Sequence, residues 1–225
     1  MAMSEQQRNQ ILSNIKVIGF DLDGTLYNVT PEIKLRVRNL IYQKISTEFN
    51  IPLEKATNLF EEIYSETHSG GGTIRDLEQR FGKKSDSDII QDSLQEADIL
   101  ALIPEDPNLS RLLTRLSESY QLDLLTGGRE NLAFEKLKRI GIDKGIFKYL
   151  FTKERGRKGN GDLYREWIQN RLDLTPENFL YVGDNKKQDI DIPKELGIKT
   201  CFLGDYNQAD FQINSILDLE RLLLE

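Results

Sequence analysis

Histidine, cysteine and tryptophan are scarce in this 225-residue sequence, which contains one of each. A single cysteine cannot form a disulfide within the chain, which favours a reducing, cytosolic environment. One histidine and one cysteine are also too few for a zinc site built from several histidine or cysteine ligands. If the protein is an enzyme, its chemistry therefore depends on oxygen ligands and carboxylates.

Long apolar runs and long basic runs are absent as well. No apolar stretch approaches the ~18 residues that a membrane-spanning helix needs, so we expect no membrane association. The first sixteen residues are polar and lack the apolar core of a secretion signal, which predicts a cytoplasmic protein. Acidic residues outnumber basic ones by 37 to 30, and the net charge of −7 argues against nucleic acid as a ligand.

Short apolar runs recur along the chain, and helical patterns separate most of them. Runs of this length, bounded by turn residues, are typical of strands that are buried on both faces of a parallel sheet. They lie at Ile15–Phe20, Leu122–Leu125, Tyr149–Phe151, Phe179–Val182 and Thr200–Leu203, with a weaker one at Phe211–Ile213. The helical patterns cover Asn131–Ile140, Asp162–Leu172 and Gln188–Leu196. This alternation predicts an α/β fold with a doubly wound (Rossmann-like) parallel sheet.

Residues 29–106 interrupt this alternation, because they contain no convincing strand. Four helices are predicted there instead, at Pro31–Phe49, Leu53–Tyr64, Ile74–Phe81 and Asp86–Leu100. The sequence therefore predicts an α/β core of residues 1–28 and 107–225, with an all-helical domain of residues 29–106 inserted after the first strand. Within that insert, Tyr64–Thr73 is predicted to be a glycine-rich loop between two helices.

Two aspartates follow the first predicted strand directly. Asp21 and Asp23 stand at the carboxyl end of that strand, where open α/β sheets place their ligand sites. Gly24 permits a turn that most side chains would obstruct. A strand end with turn-forming aspartates but no function would give the same pattern. The interpretation of Asp21 and Asp23 as site residues therefore depends on the polar residues found at the ends of other strands.

Two further segments carry groups that can bind a phosphate. Thr126 and Gly127 follow the second strand with a hydroxyl and a backbone amide, although the same residues would suit a helix N-cap. Lys158 lies in a glycine-rich loop before the helix predicted at Asp162. A lysine in that position either reaches a phosphate or is simply solvated.

A third strand end adds acidic groups. Asp184 follows the strand at Phe179–Val182, with Asn185 beside it and Asp189 shortly after. Either Asp184 or Asn185 would also serve as the cap of the next helix. Gathering Asp21, Asp184 and Asp189 in one place is costly unless a cation lies between them, and oxygen ligands without histidine favour Mg²⁺.

These groups predict a Mg²⁺-dependent reaction on a phosphate ester. Lys158 and the metal would neutralise the phosphate oxygens, which leaves a carboxylate free to attack phosphorus. Asp23 would protonate the leaving alcohol and then activate water. Positioning and charge neutralisation supply most of the rate in phosphoryl transfer, and no step requires a histidine.

The set resembles the four motifs of the haloacid dehalogenase-like (HAD) hydrolase superfamily, in the same order and over nearly the whole chain. The motifs are Asp21-Leu22-Asp23-Gly24-Thr25, then Thr126, then Lys158, then Gly183-Asp184 with Asp189. The resemblance implies that Asp21 is the nucleophile that forms an aspartyl-phosphate. It also implies that Asp23 is the general acid/base.

By the same resemblance, Thr126, Gly127 and Lys158 bind the phosphoryl group. The third motif departs from the usual Lys-Pro-x-Pro, since this chain reads Lys158-Gly159-Asn160-Gly161. The helix predicted to begin at Asp162 stands where the motif expects a helix after its lysine, which favours Lys158. Lys153 is the alternative lysine.

The resemblance also implies a set of metal ligands. Mg²⁺ would be held by the carboxylates of Asp21 and Asp184 and by the backbone carbonyl of Asp23. Asp189 is either a further ligand, through water, or a group that orients Lys158 or water.

The helical insert corresponds in chain position to the cap domain that many members of this superfamily carry between the first two motifs. Such a cap closes over the site, excludes water and selects the leaving group. The loop predicted at Tyr64–Thr73 contains His68, which either contacts the substrate or lies in a solvated connection.

Asp23 indicates the reaction class, because dehalogenases of the superfamily lack a carboxylate there, whereas phosphatases and phosphomutases use one. Leu26-Tyr27, the helix at Pro31–Phe49 and the segment Tyr64–Leu77 resemble the pyrimidine 5′-nucleotidase branch. We therefore expect a phosphatase, a Mg²⁺-dependent phosphomonoester hydrolase whose substrate is a small phosphorylated metabolite such as a nucleoside monophosphate.

The alternatives are a phosphosugar mutase of the β-phosphoglucomutase type and a catalytically weak binding or regulatory protein. No heptad repeat or large apolar face indicates an oligomeric state.

Overall fold

The computed structural model describes residues 5–225, which divide into two compact units. One unit contains the chain up to Asn28 together with Ile103–Glu225, and the other is the continuous segment Val29–Leu102. Residues 103–106, which the sequence prediction assigned to the helical insert, cluster with the first unit instead. They lead into a helix of that unit, because the Asp106 carboxylate caps it by accepting a hydrogen bond from the amide of Leu109.

Within residues 5–225 the structure contains six strands and ten α-helices. The strands are β1 (Val17–Phe20), β2 (Gln121–Leu125), β3 (Tyr149–Phe151), β4 (Phe179–Gly183), β5 (Lys199–Leu203) and β6 (Phe211–Ile213). The helices are α1 (Glu5–Asn14), α2 (Pro31–Phe49), α3 (Leu53–Thr67), α4 (Gly70–Phe81), α5 (Ile89–Glu96), α6 (Pro107–Ser117), α7 (Glu130–Ile140), α8 (Asp162–Gln169), α9 (Ile192–Glu195) and α10 (Leu219–Leu223). Each apolar run predicted as a strand forms one.

The six strands form one sheet in the order β3-β2-β1-β4-β5-β6, and every pairing in it is parallel. β1 pairs with β2 on one side and with β4 on the other. The strand order therefore reverses at β1, since the chain builds β2 and β3 on one side before it builds β4 to β6 on the other. This confirms the predicted α/β fold with a doubly wound parallel sheet.

Close packing of α8 against the sheet fixes the central strands. Every residue of β1 and β4 is buried. Trp167 of α8 packs edge-on against Phe179 of β4, with ring centroids 4.8 Å apart. A Cβ at Gly19 of β1 would overlap the Trp167 indole, so glycine at this position lets the helix approach the sheet. Trp167 thereby lies directly against β1 and β4.

A buried ion pair lies within the same core. Asp123 of β2 is fully buried, and its Oδ2 accepts a 2.7 Å hydrogen bond from the Trp167 indole and lies 2.6 Å from the Arg171 guanidinium. Its Oδ1 accepts a 3.0 Å hydrogen bond from the amide of Tyr149. Burial raises the pKa of Asp123 even though these donors oppose the shift. The pair therefore joins α8 and the segment after it to the sheet.

The segment after β4 differs from its prediction. The helix expected over Gln188–Leu196 is instead a π-helical turn over Lys186–Asp191 that leads into the short α9. Asn185 caps this turn, because its side chain accepts a 2.9 Å hydrogen bond from the amide of Gln188. The cap is thus Asn185 and not Asp184, the other residue that the sequence offered for that role.

The unit Val29–Leu102 contains α2 to α5 and no strand. α2 begins and ends where the sequence predicts. The Thr30 hydroxyl accepts a hydrogen bond from the amide of Ile33, Pro31 occupies the first turn, and Asn50 ends the helix in the left-handed conformation. The apolar faces of the four helices enclose a core of their own.

The glycine-rich loop predicted within this unit is wrong. α3 continues to Thr67 and α4 begins at Gly70, so the three successive glycines form the first turn of α4. Ser69 caps that turn, since its hydroxyl accepts a 3.2 Å hydrogen bond from the amide of Gly72. The connection between the two helices is therefore His68 and Ser69 alone, because the serine cap outweighs the low helix propensity of glycine.

Two further helices are shorter than predicted. α5 covers Ile89–Glu96 where the sequence predicts Asp86–Leu100, and α8 ends at Gln169 where it predicts Leu172. Among the residues that the structure describes, no helix combines the length and the apolar character of a membrane span.

Cys201 provides a test of the packing of β5. The residue is fully buried, and burial raises the pKa of its thiol, so it reacts only when the surrounding structure opens. We expect a thiol-specific aromatic disulfide to leave the folded protein unmodified, and to label it in urea in step with the loss of Trp167 fluorescence. Cys201→Ser is the control for unspecific labelling. Rapid labelling of the fully folded protein would contradict the buried position.

Candidate active site

The carboxyl ends of three strands meet where the strand order reverses. Asp21 follows β1 directly, Thr126 follows β2 and Asp184 follows β4. Because β1 pairs in parallel with both β2 and β4, the residues that follow the three strands emerge at the same edge of the sheet. This edge is the usual ligand-binding position of an open α/β sheet.

Asp21 is buried and tied to the sheet through its backbone. Its amide donates a 2.9 Å hydrogen bond to the carbonyl of Val182, and its Oδ1 lies 2.5 Å from Nζ of Lys158. Burial raises the pKa of Asp21 well above its usual value against the opposing effect of Lys158, and the carboxylates of Asp189 and Asp184 raise it further. The structure thus holds one carboxylate beside one cation at the end of β1.

Lys158 lies between two carboxylates. Its Nζ is 2.6 Å from Oδ1 of Asp189 as well as 2.5 Å from Oδ1 of Asp21, and all three residues are buried. Oδ2 of Asp189 accepts hydrogen bonds from the amides of Asp184 and Asn185, at 3.1 and 2.9 Å. Burial disfavours the ammonium, but Asp189 and Asp21 outweigh it and raise the pKa of Lys158 well above its usual value. Both oxygens of Asp189 are therefore engaged in holding neighbouring groups.

Asp184 completes a cluster of three carboxylates. One oxygen from each of Asp21, Asp184 and Asp189 lies within 4.8 Å of the other two. Burial, and after it the repulsion from Asp189, raises the pKa of Asp184 to about 6. Carboxylate oxygens gathered in this way suit a hard divalent cation such as Mg²⁺, whose charge would relieve the repulsion.

Gly24 forms the turn that follows Asp23. Its φ of +93° lies in the left-handed region, and its amide donates a 3.1 Å hydrogen bond to the carbonyl of Tyr27. A Cβ at this position would overlap the carboxylate of Asp184. Glycine is therefore needed twice here, for the backbone of the turn and for the space that Asp184 occupies.

Asp23 is held by two donors on one oxygen. The hydroxyl of Tyr27 and Nζ of Lys136 both donate to its Oδ1. Burial by itself would raise the pKa of Asp23, but the Lys136 ammonium and these hydrogen bonds lower it below its usual value. The side chain of Asp23 is 34% exposed, whereas that of Lys136 is 2% exposed. Asp23 is thus partly exposed to solvent, and the ammonium that it contacts is buried.

Lys136 is the residue of the site that sequence reasoning missed. It lies on α7 in the same buried stripe as Leu132, Ala133, Leu137 and Ile140. A lysine within the apolar stripe of an amphipathic helix is the signal that would have identified it, because lysine is rarely fully buried without a partner.

Thr126 is not the cap of α7. Its Oγ1 accepts a 3.1 Å hydrogen bond from the amide of Gly128, its own amide donates to the carbonyl of Phe151 at 2.9 Å, and Arg129 occupies the cap position. Thr126 and Gly127 therefore form a turn at the end of β2. Their contact with a phosphate stays a prediction.

The other two predicted candidates are Lys153 and His68. The lysine that pairs with Asp21 is Lys158, whereas Lys153 donates its backbone amide to the carbonyl of Gly128 at 3.1 Å. His68 belongs to the helical unit and ends α3 in the left-handed conformation, with φ of 48°. Its contact with a substrate stays a prediction.

Comparison with known proteins identifies the family to which this chain belongs. A family model described as haloacid dehalogenase-like hydrolase matches residues 18–203. A glyceraldehyde 3-phosphate phosphatase of Methanocaldococcus jannaschii is 30% identical over 218 residues, which cover 91% of this chain and 95% of that protein. A protein of the same name from Pyrococcus abyssi is 27% identical over 84% of this chain and 81% of its own. The crystal structure of a HAD phosphatase from Thermococcus onnurineus superposes with a TM-score of 0.65 at 22% identity, covering 93% of this chain and 98% of that one.

These findings agree with the resemblance that the motifs suggested. The matched segment includes the strand-end residues Asp21, Thr126 and Asp184. The narrower resemblance to pyrimidine 5′-nucleotidases is not confirmed, since both relatives carry the name of a triose phosphate phosphatase. The chain therefore belongs to the haloacid dehalogenase-like hydrolase family, and within that family it is a phosphatase.

Proposed function

We propose that this phosphatase hydrolyses a small phosphosugar, with glyceraldehyde 3-phosphate as the first candidate, in a Mg²⁺-dependent reaction through an aspartyl-phosphate. The observation that carries the mechanism is the buried Asp21 carboxylate, which lies 2.5 Å from the Lys158 ammonium and beside Asp184. The substrate class is supported by the names of the two archaeal relatives, which align with most of this chain. These names favour a triose phosphate over the nucleoside monophosphate suggested by the sequence.

The charges of the site support a divalent cation. Its charged groups are four carboxylates and two ammonium groups, namely Asp21, Asp23, Asp184, Asp189, Lys136 and Lys158. When all of them are ionised, two negative charges are in excess, and one Mg²⁺ would balance them. We assign the carboxylates of Asp21 and Asp184 and the backbone carbonyl of Asp23 as its ligands, with Asp189 as the group that orients Lys158. When bound, Mg²⁺ supplies electrostatic stabilisation of the phosphoryl oxygens.

In the first half of the proposed reaction, a carboxylate oxygen of Asp21 attacks the phosphorus of the ester. A bond from that oxygen to phosphorus forms while the bond from phosphorus to the ester oxygen breaks. Asp23 enters this step protonated, transfers its proton to the departing alkoxide and is left ionised. The Lys158 ammonium, the Thr126 hydroxyl and the Gly127 amide bind the nonbridging oxygens, where negative charge has to be stabilised.

In the second half, the ionised Asp23 accepts a proton from water, and the water oxygen attacks the phosphorus of the phosphoaspartate. The bond between phosphorus and Asp21 breaks, so inorganic phosphate leaves and the carboxylate is restored. A mutase would instead return the phosphoryl group to a sugar hydroxyl. The two reactions therefore differ in whether inorganic phosphate is released.

We assign the choice of the leaving group to the helical unit Val29–Leu102, which occupies the chain position of the cap domain in this family. His68, at the end of α3, is the residue of that unit that we propose to contact the substrate.

Asp21→Asn removes the nucleophile with little change of shape. We expect phosphate release from glyceraldehyde 3-phosphate to fall by about 10³-fold or more, because the amide cannot form the phosphoenzyme. Phosphate release is measured with Mg²⁺ over triose phosphates, hexose phosphates and nucleoside monophosphates. Asp173→Asn, at an exposed aspartate, is the matched control and keeps wild-type activity.

The same screen separates the alternatives. Isomerisation of a hexose phosphate without release of phosphate would identify a mutase. Substantial turnover by the Asp21 variant, or no turnover of any ester by the wild-type protein, would contradict the proposed mechanism.

Gly24→Ala tests the metal ligands without changing the nucleophile. The added Cβ would displace the Asp184 carboxylate, and the positive φ adds strain of about 1–2 kcal/mol. We expect Mg²⁺ affinity, measured by titration calorimetry, to fall by about tenfold or more. Gly159→Ala is the control, because a Cβ there meets nothing within 4 Å. Equal Mg²⁺ affinities in the two variants would rule out Asp184 as a ligand.

A further inference from the structure

Lys136 is a buried cation to which none of the four motifs assigns a role. Its side chain is 2% exposed and stands on α7 among Leu132, Leu137 and Ile140. An ammonium in such surroundings is costly and needs a close anion. The structure provides that anion in the carboxylate of Asp23, to which Lys136 donates a hydrogen bond.

The two members of this pair depend on each other unequally. The side chain of Asp23 is 34% exposed, so water reaches part of its carboxylate, whereas the Lys136 side chain is only 2% exposed. An apolar side chain at position 136 would continue the buried stripe of α7, whereas loss of the ammonium would leave the Asp23 carboxylate without its cation. The ammonium of Lys136 therefore serves the position of Asp23 rather than the packing of the helix.

Tyr27 supplies a second donor to the same carboxylate oxygen. Its hydroxyl and Nζ of Lys136 both bond to Oδ1 of Asp23, and Nζ lies 5.9 Å from the centre of the Tyr27 ring. Tyr27 is itself fixed, because its carbonyl accepts the hydrogen bond from the amide of Gly24. Donors from two separate elements, α7 and the turn after β1, therefore restrain the orientation of the Asp23 carboxyl group.

We propose that Lys136 and Tyr27 form a clamp on Oδ1 of Asp23, which makes Oδ2 the oxygen that exchanges protons with the leaving group and with water. Lys136 is then a positioning residue that acts through the general acid/base. This inference rests on the proposed function, since it concerns the support of a group in that mechanism. The clamp persists through the reaction, because Oδ1 can accept both hydrogen bonds whether or not Oδ2 carries a proton.

A displaced Asp23 affects the two half-reactions differently. An alkyl phosphate needs a proton on its leaving oxygen, so phosphoenzyme formation slows. The leaving group of p-nitrophenyl phosphate is stable as an anion, so the phosphoenzyme forms readily and its hydrolysis, which needs a base, becomes limiting. Loss of the clamp therefore predicts a burst of about one p-nitrophenol per enzyme followed by slow turnover.

The experiment compares Lys136→Met with Lys138→Met, which makes the same chemical change at an exposed position of α7. We expect Lys136→Met to lower steady-state turnover of p-nitrophenyl phosphate by about 10²-fold and to show the burst. KM falls together with kcat, because the slowed step follows phosphoenzyme formation, so kcat/KM changes little. Lys138→Met behaves like the wild-type protein. Circular dichroism and urea unfolding establish that both variants are folded.

Asp23→Asn is the reference for the assignment, because Lys136 acts through Asp23. The double variant Asp23→Asn/Lys136→Met is expected to be no slower than Asp23→Asn alone, since the clamp then has nothing to position. Losses that multiply in the double variant would show that Lys136 acts elsewhere and would overturn the proposal. Wild-type kinetics in folded Lys136→Met would overturn it as well.

Tyr27→Phe decides the question if Lys136→Met does not fold. It removes one donor at nearly constant shape, and we expect a retained burst with turnover lowered by about tenfold. Unchanged turnover in this variant would overturn the clamp. The proposed function is tested separately by a phosphoenzyme trapped in the wild-type protein and absent from Asp21→Asn. If that species does not form, the mechanism itself is wrong; if it forms while the clamp variants match the wild type, the clamp alone is wrong.

Discussion

The ammonium of Lys158 is the group on which the arrangement of the site depends. It lies 2.5 Å from Asp21 and 2.6 Å from Asp189, and all three side chains are buried. A buried ammonium needs carboxylates, and two buried carboxylates in contact need a cation, so each member holds the others in place. The sheet makes this possible because the ends of β1 and β4 lie side by side, although their residues are far apart in the sequence.

Asp189 also connects Lys158 to Asp184, whose carboxylate we assign to the metal. The amides of Asp184 and Asn185 donate to one of its oxygens while Lys158 contacts the other. The π-helical turn after β4 carries Asp189 back to the strand end, where Gly183 leaves room for it. The cation that faces the nucleophile and the backbone that bears Asp184 therefore share one support.

The sequence predicts the parts of this molecule that depend on local patterns. Short apolar runs followed directly by polar residues identify β1 and β4, and with them the edge at which Asp21 and Asp184 meet. At the start of α4 the local pattern misleads, because three successive glycines suggest a loop, whereas the cap from Ser69 allows them to begin a helix.

Local sequence patterns do not predict contacts between residues that are far apart in the chain. Lys136 is 113 positions away from Asp23, and a lysine in an amphipathic helix is usually solvated through its long side chain. The sequence predicts an ordinary helix after β4, because a π-helical turn of 6 residues is too short to show a periodicity different from that of an α-helix. The fold shows both features, because it brings Asp23 to Lys136 and determines the backbone conformation of the turn.

The turn that holds Asp23 closes before the helical unit begins. Tyr27 bridges back to Asp23 and accepts the hydrogen bond of Gly24, and the helical unit starts two residues later at Val29. The chain returns to the first unit at Ile103, and the ion pairs and the clamp of the site are formed entirely by residues outside the inserted segment. Selection can therefore exchange, lengthen or trim the insert while the groups that handle phosphorus keep their positions. With leaving-group selection assigned to the insert, as we propose, a new specificity does not require a new chemistry.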